Sequence, residues 1–155
     1  MRDIAATYGL VAAGFSARVN AIAPDQWDAP TPHADWSVRQ LVAHVISTQQ
    51  RVLATLGGPK PGRVDENGEL TELWHSASGS MSAALEDTAQ ATQIIRGLLG
   101  EQPFEELVGQ LICADTLVHT WEFSRTLGMD HSLDPDAMRA CMEFLNFVGE
   151  TVSVG

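Results

Sequence analysis

The stretch that decides the fold is PFEELVGQLICADTLVHTWEFSRTLG, residues 103–128. Proline suits the first turn of a helix and glycine suits the position just beyond the last turn, so the stretch predicts one helix from Pro103 to Gly128. Apolar residues at helical spacing form a stripe along it, namely Val108, Leu111, Ile112 and Val118. Such a stripe is typical of a helix whose face is buried against other helices.

Three further helices are predicted before this stretch. Apolar residues at i, i+3 and i+4 spacing predict the first over about residues 3–22. Ser37 and Gln40 form a capping-box pattern, which predicts a second helix over about residues 37–56. The same apolar spacing predicts a third over about residues 70–91, although a glycine and several serines weaken it.

The segments on either side complete the fold prediction. In TQIIRGLLGEQP, residues 92–103, Ile94 and Ile95 either prolong the third helix or form a short extended link. DPDA predicts a last helix, with Asp134 as N-cap and Pro135 in the first turn. No strand-like alternation and no internal repeat is apparent. The predicted fold class is therefore all-α, a four-helix bundle with an additional C-terminal helix.

Length and composition limit the classes of protein to which this sequence can belong. The 155 residues suit a single domain, 1–155, and the net charge of −11 argues against a nucleic-acid surface. Two cysteines within helical segments predict buried free thiols and a cytoplasmic protein. No signal peptide and no membrane span is recognisable. The chain stops at TVSVG directly after an apolar helix, which we interpret as a C-terminal truncation.

Three ionisable residues interrupt the apolar stripe of the fourth helix. On a helical wheel, Asp115, His119 and Glu122 fall within the same sector of roughly 120° as the apolar residues. Buried without partners they would cost several kcal/mol, so they must be hydrogen-bonded, ion-paired or bound to a cation. Asp115 and His119, one turn apart, could share one ion. The alternative is an Asp–His hydrogen bond inside a polar core.

A second imidazole makes a metal site the more attractive interpretation. His44, in LVAHV, lies at the flank of the apolar stripe of the second helix. A lone histidine there could be purely structural, yet bundles assemble metal sites from inward side chains on facing helices. His44, Asp115 and His119 would supply two imidazoles and one carboxylate. That set suits Zn, Fe(II) or Ni and leaves coordination positions open, as in catalytic sites.

Two stretches, WDAPTPHADWSVRQLVAHV and ADTLVHTWEFSRTLG, resemble the metal-binding domain of the mycothiol-dependent maleylpyruvate isomerase family, within the DinB-like superfamily. The resemblance covers most of the chain and implies a DinB-like bundle that holds a divalent metal at His44, Asp115 and His119. It also implies an actinobacterial source and mycothiol as thiol cosubstrate. Two departures matter: relatives often have cysteine where this chain has His33, and the full isomerase has a C-terminal domain absent from these residues.

The expected chemistry is an isomerase or S-transferase reaction between a low-molecular-weight thiol, activated on the metal, and a small-molecule electrophile. Glu122 is the candidate catalytic residue, as a proton carrier or as the acceptor that orients a ligand imidazole, and a salt bridge to a neighbouring helix is the structural alternative. His33 is expected at the surface or in loop packing, with lining of the pocket as the minor alternative. A metal-binding sensor without turnover and a polar triad without metal remain alternatives, as do monomer and homodimer.

Overall fold

The computed structural model describes residues 3–33, 35–97, 99–130 and 132–143. In chain order the elements are α1 (Ile4–Asn20), α2 (Val38–Ala54), α3 (Leu70–Glu86), α4 (Thr88–Ala91), β1 (Ile94–Gly97), β2 (Gly100–Pro103), α5 (Phe104–Leu107), a π-helical segment (Val108–Ile112) and α6 (Cys113–Thr126). Residues 135–143 are helical and are here called α7.

The four long helices form a bundle in which α1 and α2 each pack against both α3 and α6. Its core is filled by large side chains that are almost completely shielded from solvent, among them Tyr8, Phe15, Leu41, Trp74 and Phe123. The rings of Phe15 and Trp74 lie 4.3 Å apart, and Phe123 packs edge-on against Phe15. The predicted all-α bundle with an additional C-terminal helix is confirmed, and its arrangement brings α2 alongside α6.

The predicted helix ends depend on local hydrogen bonds that the structure contains. Ser37 accepts from the backbone N–H of Gln40, and the Gln40 side chain accepts from the backbone N–H of Ser37, which confirms the capping box. Asp134 accepts from two backbone N–H groups at the start of α7. Gly128 has a φ of 68°, and the backbone bonds around it close α6 in a Schellman motif.

Two parts of the chain differ from the predicted helices. Asp87 has an extended backbone and its carboxylate accepts from the N–H of Ala89, so α3 ends at Glu86 and the separate helix α4 begins. β1 and β2 then form an antiparallel hairpin. The extended link was therefore the correct alternative for this region, although paired strands were not expected. Strands of four residues are too short to show alternation in the sequence.

The π-helical segment changes which face of α6 is buried. A π turn holds an extra residue, which rotates the following residues by about 100° relative to a regular α-helix. Val118, predicted to face the interior, is 52% exposed, so that prediction is wrong. The buried positions of α6 include instead Cys113, Thr116, Thr120 and Phe123.

Two further predictions from the sequence concern the cysteines and membrane-spanning helices. Cys113 and Cys141 are both free and buried, as expected. Among the helices that the structure describes, none has both the length and the hydropathy that a bilayer crossing requires.

Candidate metal centre

The three predicted metal ligands meet where α2 packs against α6. Oδ1 of Asp115 lies 3.2 Å from Nε2 of His119 and 4.0 Å from Nε2 of His44. The rings of His44 and His119 are 5.2 Å apart between centroids, and one ligand atom from each of the three residues lies within 4.8 Å of the others. His119 is buried, whereas His44 and Asp115 are partly exposed at the edge of the bundle.

These separations and the chemistry of the donors fit one divalent ion. Ligand atoms around a tetrahedral zinc, at bond lengths of about 2.0–2.1 Å, are separated by about 3.3 Å. The distances of 3.2 and 4.0 Å lie on either side of that value. Oδ2 of Asp115 is buried and accepts no hydrogen bond from the described residues, which is costly for a carboxylate oxygen. A cation would satisfy it.

The carboxylate and the imidazole of α6 stabilise each other's charged forms. Burial by itself would raise the pKa of Asp115, but the nearby imidazoles of His119 and His44 outweigh it and hold that pKa well below its usual value. Burial would likewise lower the pKa of His119, yet Asp115 and then Glu122 raise it above 6.5. These opposite shifts favour an ion pair between Asp115 and His119.

Glu122 lies on the other side of the His119 ring. Its Oε1 is 3.4 Å from Nδ1 of His119, and its Oε2 is 2.7 Å from Nε2 of His33. Glu122 is almost completely buried, and both of these contacts are with imidazoles and not with a basic residue of a neighbouring helix. The carboxylate therefore occupies the position of the acceptor that commonly orients a metal-ligating histidine.

His33, His119 and Glu122 form a second set of residues whose ligand atoms lie within 4.8 Å of one another. The distance of 2.7 Å between His33 and Glu122 is that of a direct hydrogen bond or ion pair and is shorter than two ligands of one ion require. In the set formed by His44, Asp115 and His119 the corresponding distances are 3.2 and 4.0 Å, which leaves more room for an ion between the ligand atoms. That set is therefore the better candidate for an ion, with His33 and Glu122 beside it.

His33 was expected at the surface, and its side chain is indeed 42% exposed, but the structure also brings it against the candidate site. Its ring lies 5.2 Å from the ring of His119 and 4.9 Å from that of Trp36. Trp36 in turn packs 4.7 Å from the ring of His44. His33 and Trp36 thus cover one side of the site, which for His33 is the minor alternative of the sequence analysis.

The loop that carries His33 and Trp36 is held against the first turn of α2. The N–H groups of Val38 and Arg39, which have no partner inside the helix, donate to the carbonyls of Ala29 and Trp27. Within the loop, the N–H of Thr31 donates to the carbonyl of Trp36. These bonds order the loop, and its last residues are joined directly to the helix that carries His44.

A cavity of about 350 Å³ opens beside two of the three candidate ligands, His44 and Asp115. Its other walls come from α2, from β1 and from the region of α5 and the π-helical segment, and include Thr48, Arg51, Val52, Leu107 and Leu111. This volume lies within the range of small-molecule sites in proteins. The candidate site therefore has access to a space that a small organic molecule could enter.

The chain matches the family model described as "Mycothiol maleylpyruvate isomerase N-terminal domain" over residues 9–123. It is also 26% identical, over 124 residues, to two uncharacterized proteins of Mycobacterium tuberculosis, one from strain CDC 1551 / Oshkosh and one from strain ATCC 25618 / H37Rv. These matches cover 79% of this chain but 66% of each relative. No solved structure shows a significant match.

Proposed function

This chain belongs to the mycothiol maleylpyruvate isomerase N-terminal domain family, and from that membership we propose that it binds a divalent metal at His44, Asp115 and His119 to activate a low-molecular-weight thiol. The observation that carries the proposal is the meeting of two imidazoles with a carboxylate whose second oxygen is buried and has no hydrogen-bond partner among the residues the structure describes. Zinc is the favoured ion, with nickel and Fe(II) as alternatives, and mycothiol is the proposed cosubstrate.

The proposed reaction is an isomerisation or an S-transfer. A bound divalent ion would lower the pKa of the thiol and hold it as a thiolate at neutral pH. The thiolate sulfur then forms a bond to an electrophilic carbon of the small-molecule substrate. In an isomerisation it adds to a conjugated double bond and is expelled after rotation, and in an S-transfer it displaces a leaving group that departs with the bonding electrons. The cavity beside His44 and Asp115 accommodates the electrophile.

Glu122 has an orienting role in this proposal. Its carboxylate, 3.4 Å from Nδ1 of His119, favours the tautomer with the proton on Nδ1, in which Nε2, on the side of Asp115, is free to bind an ion. His33 contacts the other oxygen of Glu122 and restricts its rotation. This position favours orientation of His119 over proton transfer to the substrate.

Elemental analysis of protein purified without a metal-affinity tag tests the site. Wild-type protein should hold about one divalent ion per chain. His119→Ala should lose most of it, and Asp115→Asn should lose less because the amide keeps an oxygen donor. His75→Ala, in which an exposed histidine on α3 is removed, is the control and should retain the full amount. Wild-type protein that holds no ion after reconstitution with zinc, nickel or Fe(II) would refute the assignment.

A thiol titration separates an enzyme from a metal-binding module without turnover. Protein loaded with Co(II) should develop a sulfur-to-metal absorption band when mycothiol is added, and the band should be absent from His119→Ala. Turnover of an electrophile with mycothiol then identifies the enzyme. A metal-loaded protein that binds no thiol would leave the non-catalytic module as its function.

A further inference from the structure

We propose that Cys113 and Cys141 are a redox-responsive pair whose thiols close into an intramolecular disulfide and thereby fasten α7 to α6. The oxidant is a low-molecular-weight disulfide. The inference concerns a part of the molecule that the proposed function does not use, and it holds whether or not an ion binds between α2 and α6. The chain has two cysteines, so each has only the other as an intramolecular partner.

The two thiols meet where α7 packs on the start of α6. Cys113 is the first residue of α6, and Cys141 lies in the last described turn of α7. The thiol of Cys113 donates a hydrogen bond to the sulfur of Cys141, and both side chains are part of the hydrophobic core. Two sulfurs in direct contact need only a small shift to reach the bond length of about 2.05 Å in a disulfide.

Small side chains around the two thiols allow the helices to approach closely. Ala137 lies one turn before Cys141 on α7 and is buried with it. Ala114 of α6, which follows Cys113, lines the same cavity as Cys141. A disulfide needs Cβ atoms about 3.5–4.5 Å apart, and bulky neighbours would oppose so close an approach. The interface of α6 and α7 therefore suits a covalent bond between the two sulfurs.

Few buried side chains hold α7 to the bundle. Ala137 and Cys141 are its only buried residues among those that the structure describes, whereas Met138 and Met142 are 40% and 59% exposed. A helix with so little buried apolar surface opens locally at a small cost in free energy. A covalent bond at Cys141 would keep α7 on α6, so the oxidation state of the two sulfurs determines how firmly α7 is attached.

Cys141 is the thiol that a reagent reaches first. It lines a cavity of about 420 Å³ between α6 and α7, whose apolar walls include Trp121, Leu133 and Met138. Cys113 is completely buried and is not among the residues that line this cavity. The hydrogen bond from Cys113 lowers the pKa of Cys141 by more than burial raises it, which favours the nucleophilic thiolate at Cys141.

The reaction consists of two successive thiol–disulfide exchanges. The sulfur of Cys141 attacks one sulfur of the low-molecular-weight disulfide, whose S–S bond breaks, and one thiolate leaves with the bonding electrons. The sulfur of Cys113 then attacks the Cys141 sulfur of this mixed disulfide and displaces the second thiolate. The protons of the two cysteines pass to the released thiolates. Two protein thiols are thus oxidised, and one disulfide is reduced to two thiols.

Intact mass spectrometry of native protein treated with glutathione disulfide tests the pairing. Wild-type protein should lose two hydrogen atoms and retain no glutathione, and its Cys113 and Cys141 peptides should be joined. Cys113→Ala should retain one glutathione, on Cys141, whereas Cys141→Ala should retain none because Cys113 does not reach the cavity. Wild-type protein that keeps both thiols free, or that stops at the mixed disulfide, overturns the inference. Equal modification of the two single variants does so too.

Limited digestion with trypsin tests the attachment of α7. Arg139 is an exposed residue of α7, and cleavage after it requires the helix to open, so the disulfide should slow this cleavage about tenfold. Cleavage after Arg63, on an exposed loop between α2 and α3, is the matched control and should not change. Dithiothreitol should restore the faster cleavage, and the double variant Cys113→Ala, Cys141→Ala should not respond to oxidant. Equal rates after Arg139 in oxidised and reduced wild-type protein would refute the tether.

Discussion

His119 has a carboxylate near each of its two ring nitrogens. Asp115 lies 3.2 Å from Nε2 and Glu122 lies 3.4 Å from Nδ1. Both carboxylates favour the protonated ring and raise the pKa of His119, so a proton would compete with an ion bound as proposed. Protons and metal ions therefore compete for one atom, Nε2.

The free energy of unfolding of metal-free protein should depend on pH through this residue. The pKa of His119 is raised above 6.5 in the folded state, so its contribution is fully present below pH 6.5 and is lost as the pH rises through the raised pKa. Asp115 has a lowered pKa, so its contribution is present above pH 3.8 and is lost as the pH falls through the lowered value. Urea unfolding should therefore show a decline in stability above pH 6.5.

Metal affinity should change in the opposite direction over the same range, because binding releases the proton of His119. His119→Gln is the control for both measurements and should show neither the decline in stability nor the same rise in affinity. A wild-type stability that stays level from pH 6 to pH 9 would contradict the ion pair.

At the scale of elements, the N-cap of α2 connects the loop to the site. Ser37 ends the loop that carries His33 and Trp36, and it caps the helix that carries His44. Ser37→Ala should cost about 1 kcal/mol of stability, as N-cap substitutions commonly do. It should also weaken metal binding, because the first turn of α2 and the loop lose a shared anchor.

Asp87→Ala provides the matched control for Ser37→Ala. Asp87 caps α4 through the N–H of Ala89, and neither residue belongs to the site. Both variants should unfold at lower urea concentration, and only Ser37→Ala should lose metal affinity in a competition assay with a chelator. An equal loss of affinity in the two variants would show that the effect is general destabilisation.

Helix positions followed from the sequence wherever the determinants were local. The capping box at Ser37 and the glycine at position 128 each act over a few residues, and the observed ends of α2 and α6 match them. The π-helical segment was missed because its extra residue leaves the apolar pattern on each side intact and shifts only the phase between them. Val118 was misplaced for that reason.

At the scale of the whole molecule, a buried hydrogen-bond chain joins three helices. The hydroxyl of Tyr8 on α1 donates to Oε1 of Gln49 on α2, at 2.7 Å. Nε2 of Gln49 donates to Oγ1 of Thr116 on α6, at 3.0 Å. Burial raises the pKa of Tyr8, so it remains a donor at any physiological pH. The chain of bonds sets the position of α2 along α6, and hence of His44 relative to Asp115.

Thr116→Val should therefore destabilise the bundle although the two side chains have nearly the same shape. The substitution leaves Nε2 of Gln49 buried without an acceptor, which should cost about 1–3 kcal/mol. Thr92→Val, at an exposed position beyond α4, is the control and should cost less. The urea denaturation midpoints of the two variants test this prediction. Equal midpoints would mean that Nε2 of Gln49 donates to another acceptor in Thr116→Val.

The candidate ligands were predictable because each lies at a helical spacing that the sequence displays. His33 was not, since its place near Glu122 depends on the path of a loop between two helices. The cavity was not predictable either, because its walls on α2 and at Leu107 and Leu111 are far apart in the sequence. The helical periodicity of one segment does not show which distant segments of the chain lie opposite it.

The packing of α2 against α6 also determines when, during translation, the candidate metal site can first form. Gln49 and Thr116, which link these helices, are 67 residues apart. At a translation rate of about 5–20 residues per second, the ribosome makes His44 roughly 4–14 seconds before it makes Asp115. A nascent chain thus exposes its early histidines without their carboxylate. If an ion binds there as proposed, we expect it to bind only after α6 has been made and has packed against α2.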